Sequence, residues 1–360
     1  MIQTWNFGAG PAMLPPAVLK KIQNELLDWK QGISVMEFGH RTPEIEALFL
    51  TLESNLRSLL NIPNEFTVLF MHGGARAQFS ALPLNLLAQG EHADYITTGH
   101  WSHQAALEAK KFSDIHIGLD ISTVLDGTIP PCTDWALSPQ AKYVHYTDNE
   151  TIEGIEFLNT PNVPNLISDI TSSILSKPID WAKMGAVYAS AQKNLGIAGM
   201  CVLIIRQDWL KPGKKPIPAI LDFNLLAESK SLYNTPPVFA CYVALLITEW
   251  VIAQGGIQAM QALCAQRAAL LYDYIDNSDF YVNTIHPLSR SRINISFNIN
   301  KNKSKILESE LLALSTAKGF KQLKGHRVKG GFRASLYNAM PLEGVEALVK
   351  LLKQFEQQNR

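Results

Sequence analysis

A lysine stands just beyond an apolar run in the segment Ala189-Ser190-Ala191-Gln192-Lys193-Asn194-Leu195-Gly196. The preceding stretch reads as a buried strand, and in open α/β sheets ligands sit outside the carboxyl ends of the strands. A lysine at such an end faces the site, and its small neighbours leave room for a ring. By itself, a lysine after a strand is usually a solvated charge. Asp169 shifts that balance. It closes the run Leu166-Ile167-Ser168 and is followed by the hydroxyl-rich Thr171-Ser172-Ser173. A charge after an apolar run lies at a strand end or is buried with a partner, with a helix N-cap or turn carboxylate as an even alternative. The 24 residues from Asp169 to Lys193 suffice for one crossover between parallel strands, which needs about a dozen. Both side chains can therefore emerge at one sheet edge. An amine and an acid placed there are the pair that pyridoxal 5′-phosphate (PLP) chemistry requires, the amine for a Schiff base and the acid to keep the pyridine nitrogen protonated.

Other residues fit around such a pair. His72-Gly73-Gly74-Ala75-Arg76 lies between a predicted strand and a predicted helix. Glycines there let backbone N–H groups approach an anion at a helix N-terminus. The chain has neither G-x-G-x-x-G nor G-x-x-x-x-G-K, which argues against a dinucleotide or P-loop site. Trp101 begins a helix past a strand and can stack on a flat ring, core packing being its ordinary role. His100 and His103 flank it, but no carboxylate or cysteine framework supports a metal, and none is expected. His40-Arg41, His326-Arg327 and Arg333 are individually ordinary surface charges. As a set they can hold a doubly anionic small substrate, arginine being the best fork for carboxylate and phosphate.

The elements that must position these groups alternate. FTVLFMH (66–72), ADYITTG (93–99), KYVHYT (142–147), NLISDI (165–170), AVYASA (186–191) and MCVLIIR (200–206) read as strands. Helices are predicted over 75–90, closed by Gly90, and 101–111. This alternation argues for an α/β layer structure with a largely parallel sheet. A helical region over 238–276, broken at Gly255-Gly256, leads into strands at 292–299 and 332–337 and helices at 306–318 and 341–357, a smaller α+β unit. The first 15 residues, with Gly8, Gly10, Pro11 and Pro15, read as an extended arm. Ser34–Phe38, before His40-Arg41, looks β-like.

Composition bounds the rest. With 360 residues, about two domains are expected. Lys+Arg and Asp+Glu are both 32, so nothing favours a nucleic-acid or acidic-membrane partner. The four cysteines form no C-x-x-C pair and read as free thiols in a reducing compartment. The N-terminus lacks the pattern of a signal peptide. Apolar runs such as Met200–Ile205 fall far short of the ~20 residues of a membrane helix. A cytoplasmic location is the expectation.

In order along the chain, N-F-G-A-G-P-A-M-L-P, S-V-M-E-x-x-H-R, H-G-G-A-R, H-Y-T-D-N-E-T-I-E-G, D-I-T-S-S-I-L-S, A-Q-K-N-L-G, Y-N-T-P-P and K-G-H-R-V-K-G-G-F-R-A-S-L-Y-N-A-M-P resemble the phosphoserine aminotransferase family, class V members of the fold type I PLP enzymes. The resemblance implies a large domain (16–255) with a mostly parallel seven-stranded sheet between helices, a small C-terminal domain (256–360) and the arm (1–15). It implies transfer of an amino group from L-glutamate to 3-phosphohydroxypyruvate, with a related step of pyridoxine biosynthesis as a further use. It implies that Lys193 carries PLP and moves the proton, that Asp169 pairs with the pyridine nitrogen, that Trp101 stacks on the ring and that Thr151 lies beside it. Ala75, Arg76 and Gln192 would hold the phosphate, with Asn234 and Thr235 reaching it from the second subunit of a homodimer with shared sites. Arg333 would take the substrate carboxylate, and His40, Arg41, His326 and Arg327 the distal anion. Two positions depart from the family: Gly8-Ala9-Gly10 replaces an arm serine, leaving only a backbone contact, and Ile197 replaces a proline. The residues alone leave three rivals: a sister class V enzyme such as a cysteine desulfurase, a nicotinamide dehydrogenase, and a non-catalytic binding protein of the same fold.

Overall fold

Seven segments rich in apolar residues form the central sheet of the computed structural model, which describes residues 3–124, 128–211, 216–300 and 305–359. Residues 1 and 2 of the expected arm, and residues 301–304 and 360 of the expected small domain, lie outside the described residues. The strands are β1 (Phe66–His72), β2 (His92–Thr97), β3 (Asp114–Asp120), β4 (Val144–Thr147), β5 (Leu166–Asp169), β6 (Met184–Ser190) and β7 (Met200–Arg206), in the order β1-β7-β6-β5-β4-β2-β3. All neighbours are parallel except β7, which is antiparallel to both β1 and β6. Because β1 and β6 both oppose β7, they run in the same sense, and their carboxyl ends share an edge with those of β2, β4 and β5.

Side chains alternate across this sheet with period two. Val68, Phe70, Val202 and Ile204 pack on one face with Leu52 and Leu56 of the helix Pro43–Leu60 and Val243 and Ile247 of the helix Val238–Ala253. Leu69, Met71, Leu203 and Ile205 pack on the other with Phe79, Leu82, Ala105 and Ala106 from the helices Ala75–Leu86 and His100–Ala109. Burial on both faces explains why these strands read as near-continuous apolar runs.

A separate apolar cluster holds Leu271, Phe280, Ile295, Phe297, Leu311, Phe332, Leu348 and Phe355. It is built on the antiparallel strands β8 (Tyr281–Val282), β9 (Asn294–Ile299) and β10 (Phe332–Ser335) and the helices Lys305–Ala317 and Leu342–Asn359. The helix Gly256–Asp276 serves both clusters, Ile257 and Met260 packing in the first and Leu271 and Ile275 in the second. The arm is tied to the second cluster: Trp5–Asn6 pairs in parallel with Phe320–Lys321, and Phe7 is fully buried there.

The structure corrects two local expectations and adds three elements. Ser34–Phe38 is a turn, closed by Glu37 N–H to Ser34 O (3.0 Å) and Ser34 N–H to the Glu37 carboxylate (3.1 Å), local bonds that replace a strand ladder. The helix predicted to 90 stops at Leu86, three residues after its internal Pro83, and Leu87 is extended; Gly90 sits in the turn beyond. Edge strand β3 and the helices Pro16–Glu25 and Pro43–Leu60 were not anticipated. Among the described residues, no single helix is long and apolar enough to cross a membrane.

Candidate active site

The shared carboxyl edge of the sheet opens onto a cavity of about 540 Å³. β6 ends at Ser190, and Gln192 and Lys193 follow directly into the cavity wall. Ala9, Gly10, Pro11, Gly73, Gly74, Trp101, Thr151, His326 and Arg333 complete most of the lining. The Lys193 ammonium lies 5.9 Å from the centre of the Trp101 ring. Burial lowers its pKa from the usual lysine range to about 8, with Arg333 adding to the fall and Asp169 and Glu150 opposing it.

Asp169 ends β5, next to β6, and is 4 % exposed. Thr171 N–H donates to it at 2.9 Å. Burial raises its pKa, while Thr171 and Lys193 pull the other way. Among the described residues it has no ion-pair partner within 4 Å. An acid buried without a cation beside it is costly, and a protonated ring nitrogen would supply what is missing.

Trp101 is oriented from two sides. Its indole N–H donates to the Thr151 hydroxyl (3.0 Å) and its backbone N–H to Glu150 (3.0 Å). Glu150 is fully buried and also accepts from Ser102 N–H (2.7 Å) and the Ser102 hydroxyl (2.6 Å), so its carboxylate caps the helix that carries Trp101. Burial, then the nearby Glu153, raises Glu150 to about 7. Gly99 is required here, since a Cβ would lie 2.4 Å from Glu153 Oε2 and 2.7 Å from Glu150 Cδ.

The helix Ala75–Leu86 begins at Gly74 with no side-chain cap, so its first N–H groups are free for an anion. Gly73 has φ +85°, and a Cβ on Gly74 would meet Ser190 Oγ at 2.9 Å. The Ser190 hydroxyl in turn donates to the Gln192 side chain. The Arg76 guanidinium lies 5.4 Å from the Trp101 ring centre. These residues fit PLP: an uncapped helix end for phosphate, an indole for the ring face, an unpaired buried acid for the ring nitrogen, and an amine with a lowered pKa for the aldehyde.

The substrate set is only partly assembled in one chain. Arg333 reaches the cavity and donates to Thr151 O (2.8 Å), and burial lowers its pKa. His326 lines the same wall; burial, then Arg333, lowers its pKa too. Arg327 is exposed. Arg41 lines a different cavity, of about 860 Å³, with Phe49, Arg57 and Tyr233, and Lys193 is not part of it. His40 Nε2 is buried without a hydrogen-bond partner among the described residues. Asn234 and Thr235 lie at His72, the Asn234 amide 3.0 Å and Thr235 O 2.8 Å from its Nε2, again outside the Lys193 cavity lining. Glu150, Ser190 and Tyr337, whose hydroxyl donates to Ala9 O (2.7 Å), were not anticipated as contributors.

A lysine of pKa about 8 is about one-tenth free base at pH 7 and about nine-tenths at pH 9. Attack on an aldehyde uses the free base. Uptake of PLP by the apoprotein, followed by stopped-flow absorbance, should accelerate with pH and level off near pH 9. A rate still rising tenfold per unit beyond pH 9.5 would mean an unperturbed lysine.

A family model for aminotransferase class V matches residues 4–348. The chain is 47% identical over 360 residues to a phosphoserine aminotransferase of Pseudoalteromonas translucida (strain TAC 125), covering 99% of each chain. It superimposes with a TM-score of 0.95 on a phosphoserine aminotransferase from Bacillus circulans subsp. alkalophilus, at 40% identity and 99% coverage of both chains. On the PLP-bound phosphoserine aminotransferase from Trichomonas vaginalis the TM-score is 0.92, at 40% identity, covering 98% of this chain and 100% of the other.

Proposed function

The chain belongs to the phosphoserine aminotransferases of class V, and from that membership we propose the following function and division of labour. It is a PLP-dependent transaminase that moves the amino group of L-glutamate to 3-phosphohydroxypyruvate, reversibly, giving O-phosphoserine and 2-oxoglutarate. The observation that carries this reading is the convergence of Lys193, Trp101, Arg333 and His326 on one cavity, with Asp169 buried at the adjoining strand end.

When bound, PLP supplies an aldehyde that bonds amines and a protonated ring that accepts electrons. Lys193 would hold it and would carry the proton at Nζ; a pKa of about 8 suits both taking and returning that proton near neutral pH. Asp169 would keep the ring nitrogen cationic. Trp101, steadied by Thr151 and Glu150, would cover one ring face. The uncapped helix end at Ala75 and Arg76, with Gln192, would take the phosphate. Arg333 binds the substrate carboxylate, and His326 and Arg327 the distal anion.

His40, Arg41, Asn234 and Thr235 belong to the same chemistry through a second copy. Support for a homodimer with shared sites comes from their place outside the Lys193 cavity lining and from the exposed Tyr233 beside Asn234. We also propose the division into an arm (1–15), a large domain (16–255) and a small domain (256–360), supported by the two apolar clusters, and a cytoplasmic location, supported by four free cysteines.

The test is a coupled assay of phosphohydroxypyruvate against unphosphorylated hydroxypyruvate. A cationic site left facing no anion discriminates strongly, so kcat/KM should favour the phosphorylated acceptor by at least about 10²-fold. Equal use of both would remove the substrate assignment and leave transamination standing.

A further inference from the structure

Between Phe7 and Ala12 the arm bridges the two halves of the molecule. On one side, Phe7 N–H donates to Lys321 O (3.0 Å) and Ser335 N–H to Phe7 O (3.1 Å). On the other, Ala12 N–H donates to Gln192 O (2.9 Å), beside Lys193. Ala9, Gly10 and Pro11, which span the gap, line the cavity with no side-chain donor. The position of Gly10 is close: a Cβ there would touch Lys193 Cγ at 3.5 Å. The amide N–H groups of Ala9 and Gly10 have no acceptor among the described residues.

One side chain holds this span from below. The Tyr337 hydroxyl donates to Ala9 O at 2.7 Å and accepts from the Asn294 amide at 3.3 Å. Asn294 Oδ1 accepts from the Asn149 amide (2.8 Å), which also donates to Ser172 Oγ (2.9 Å), in the turn after Asp169. All four side chains are 5 % exposed or less. A buried network with its members satisfied is rigid, and loss of one link leaves another group unpaired. Burial pushes the Tyr337 phenol up, so the hydroxyl keeps the proton it donates.

We infer that Tyr337 is a positioning residue for substrate: by fixing Ala9 O it presents the Ala9 and Gly10 amides to the anionic end of the substrate beside Arg333. The inference rests on the transaminase reading above.

The test is Tyr337→Phe in the full-length holoenzyme. KM for glutamate and for phosphohydroxypyruvate should rise about tenfold, the equivalent of one lost hydrogen bond, with kcat within about twofold. Hydrogen exchange should accelerate in a peptide covering residues 8–12 and stay unchanged at 320–321. Unchanged KM values with unchanged arm exchange would overturn the inference, as would a fall in kcat and melting temperature with KM intact. Should the variant not fold, the wild-type protein decides: with 2-oxoglutarate added to the PLP form, which has no amino group to exchange, residues 8–12 should gain protection, and no gain would count against the arm contact. If neither phosphorylated nor plain acceptor is used, the function reading fails, while the exchange comparison still decides what Tyr337 does to the arm.

Discussion

Replacing Lys193 with alanine should lower turnover by at least about 10⁴-fold, because in the proposed function one side chain supplies both the attachment point and the proton carrier. The protein should still fold, since the change removes a charge that burial already disfavours. It should still take up PLP, because the helix end at Ala75, Trp101 and Asp169 remain. What disappears is the covalent hold. Methylamine, small enough for the space vacated, should restore part of the activity in proportion to its free-base concentration. Turnover near the wild-type level would remove Lys193 from the mechanism altogether.

Asp169→Asn should separate function from stability. Activity should fall by about 10²–10³-fold, the usual loss when one charged group facing a developing charge is removed, because an amide cannot balance a ring cation. The apoprotein should be at least as stable as the wild type at pH 7. The sign follows from linkage: the folded pKa of Asp169 lies above its unfolded value, so its stabilising contribution is present at low pH and lost as pH rises through the folded pKa. The Thr171 N–H can still donate to the new amide oxygen. The denaturant midpoint of this variant, measured at pH 7 without cofactor, should equal or exceed that of the wild type. A large stability loss in Asp169→Asn would mean a structural role for this carboxylate.

The placement of Lys193, Asp169, Trp101 and Gly73-Gly74 was legible because each ends or follows a strand whose burial on both faces writes a continuous apolar run. Such residues need only local pattern plus the rule that sites gather at carboxyl edges. Edge strand β3 escaped for the complementary reason: Asp-Ile-His-Ile-Gly-Leu-Asp alternates and is partly exposed, and a search for continuous runs passes over it. Glu150 was visible only as a letter in a motif. Its task, capping a helix about fifty positions earlier, depends on β4 lying parallel beside β2 in the sheet, which no local window contains. Tyr337 and Ala9 are 328 positions apart and meet only because the arm pairs with the C-terminal unit. His40 and Arg41 show the opposite limit: residue type suggested anion binding, but one chain does not bring them to Lys193.

In the proposed function the amine of Lys193 carries PLP. Borohydride reduction of the yellow holoenzyme, followed by peptide mapping, tests it most directly. The expected product is a bleached protein with one pyridoxyl group, on the peptide that contains Ala191-Gln192-Lys193-Asn194, and none when glutamate has first converted the cofactor to its amine form. A label on any other lysine, or a cofactor that washes out after reduction, would contradict it.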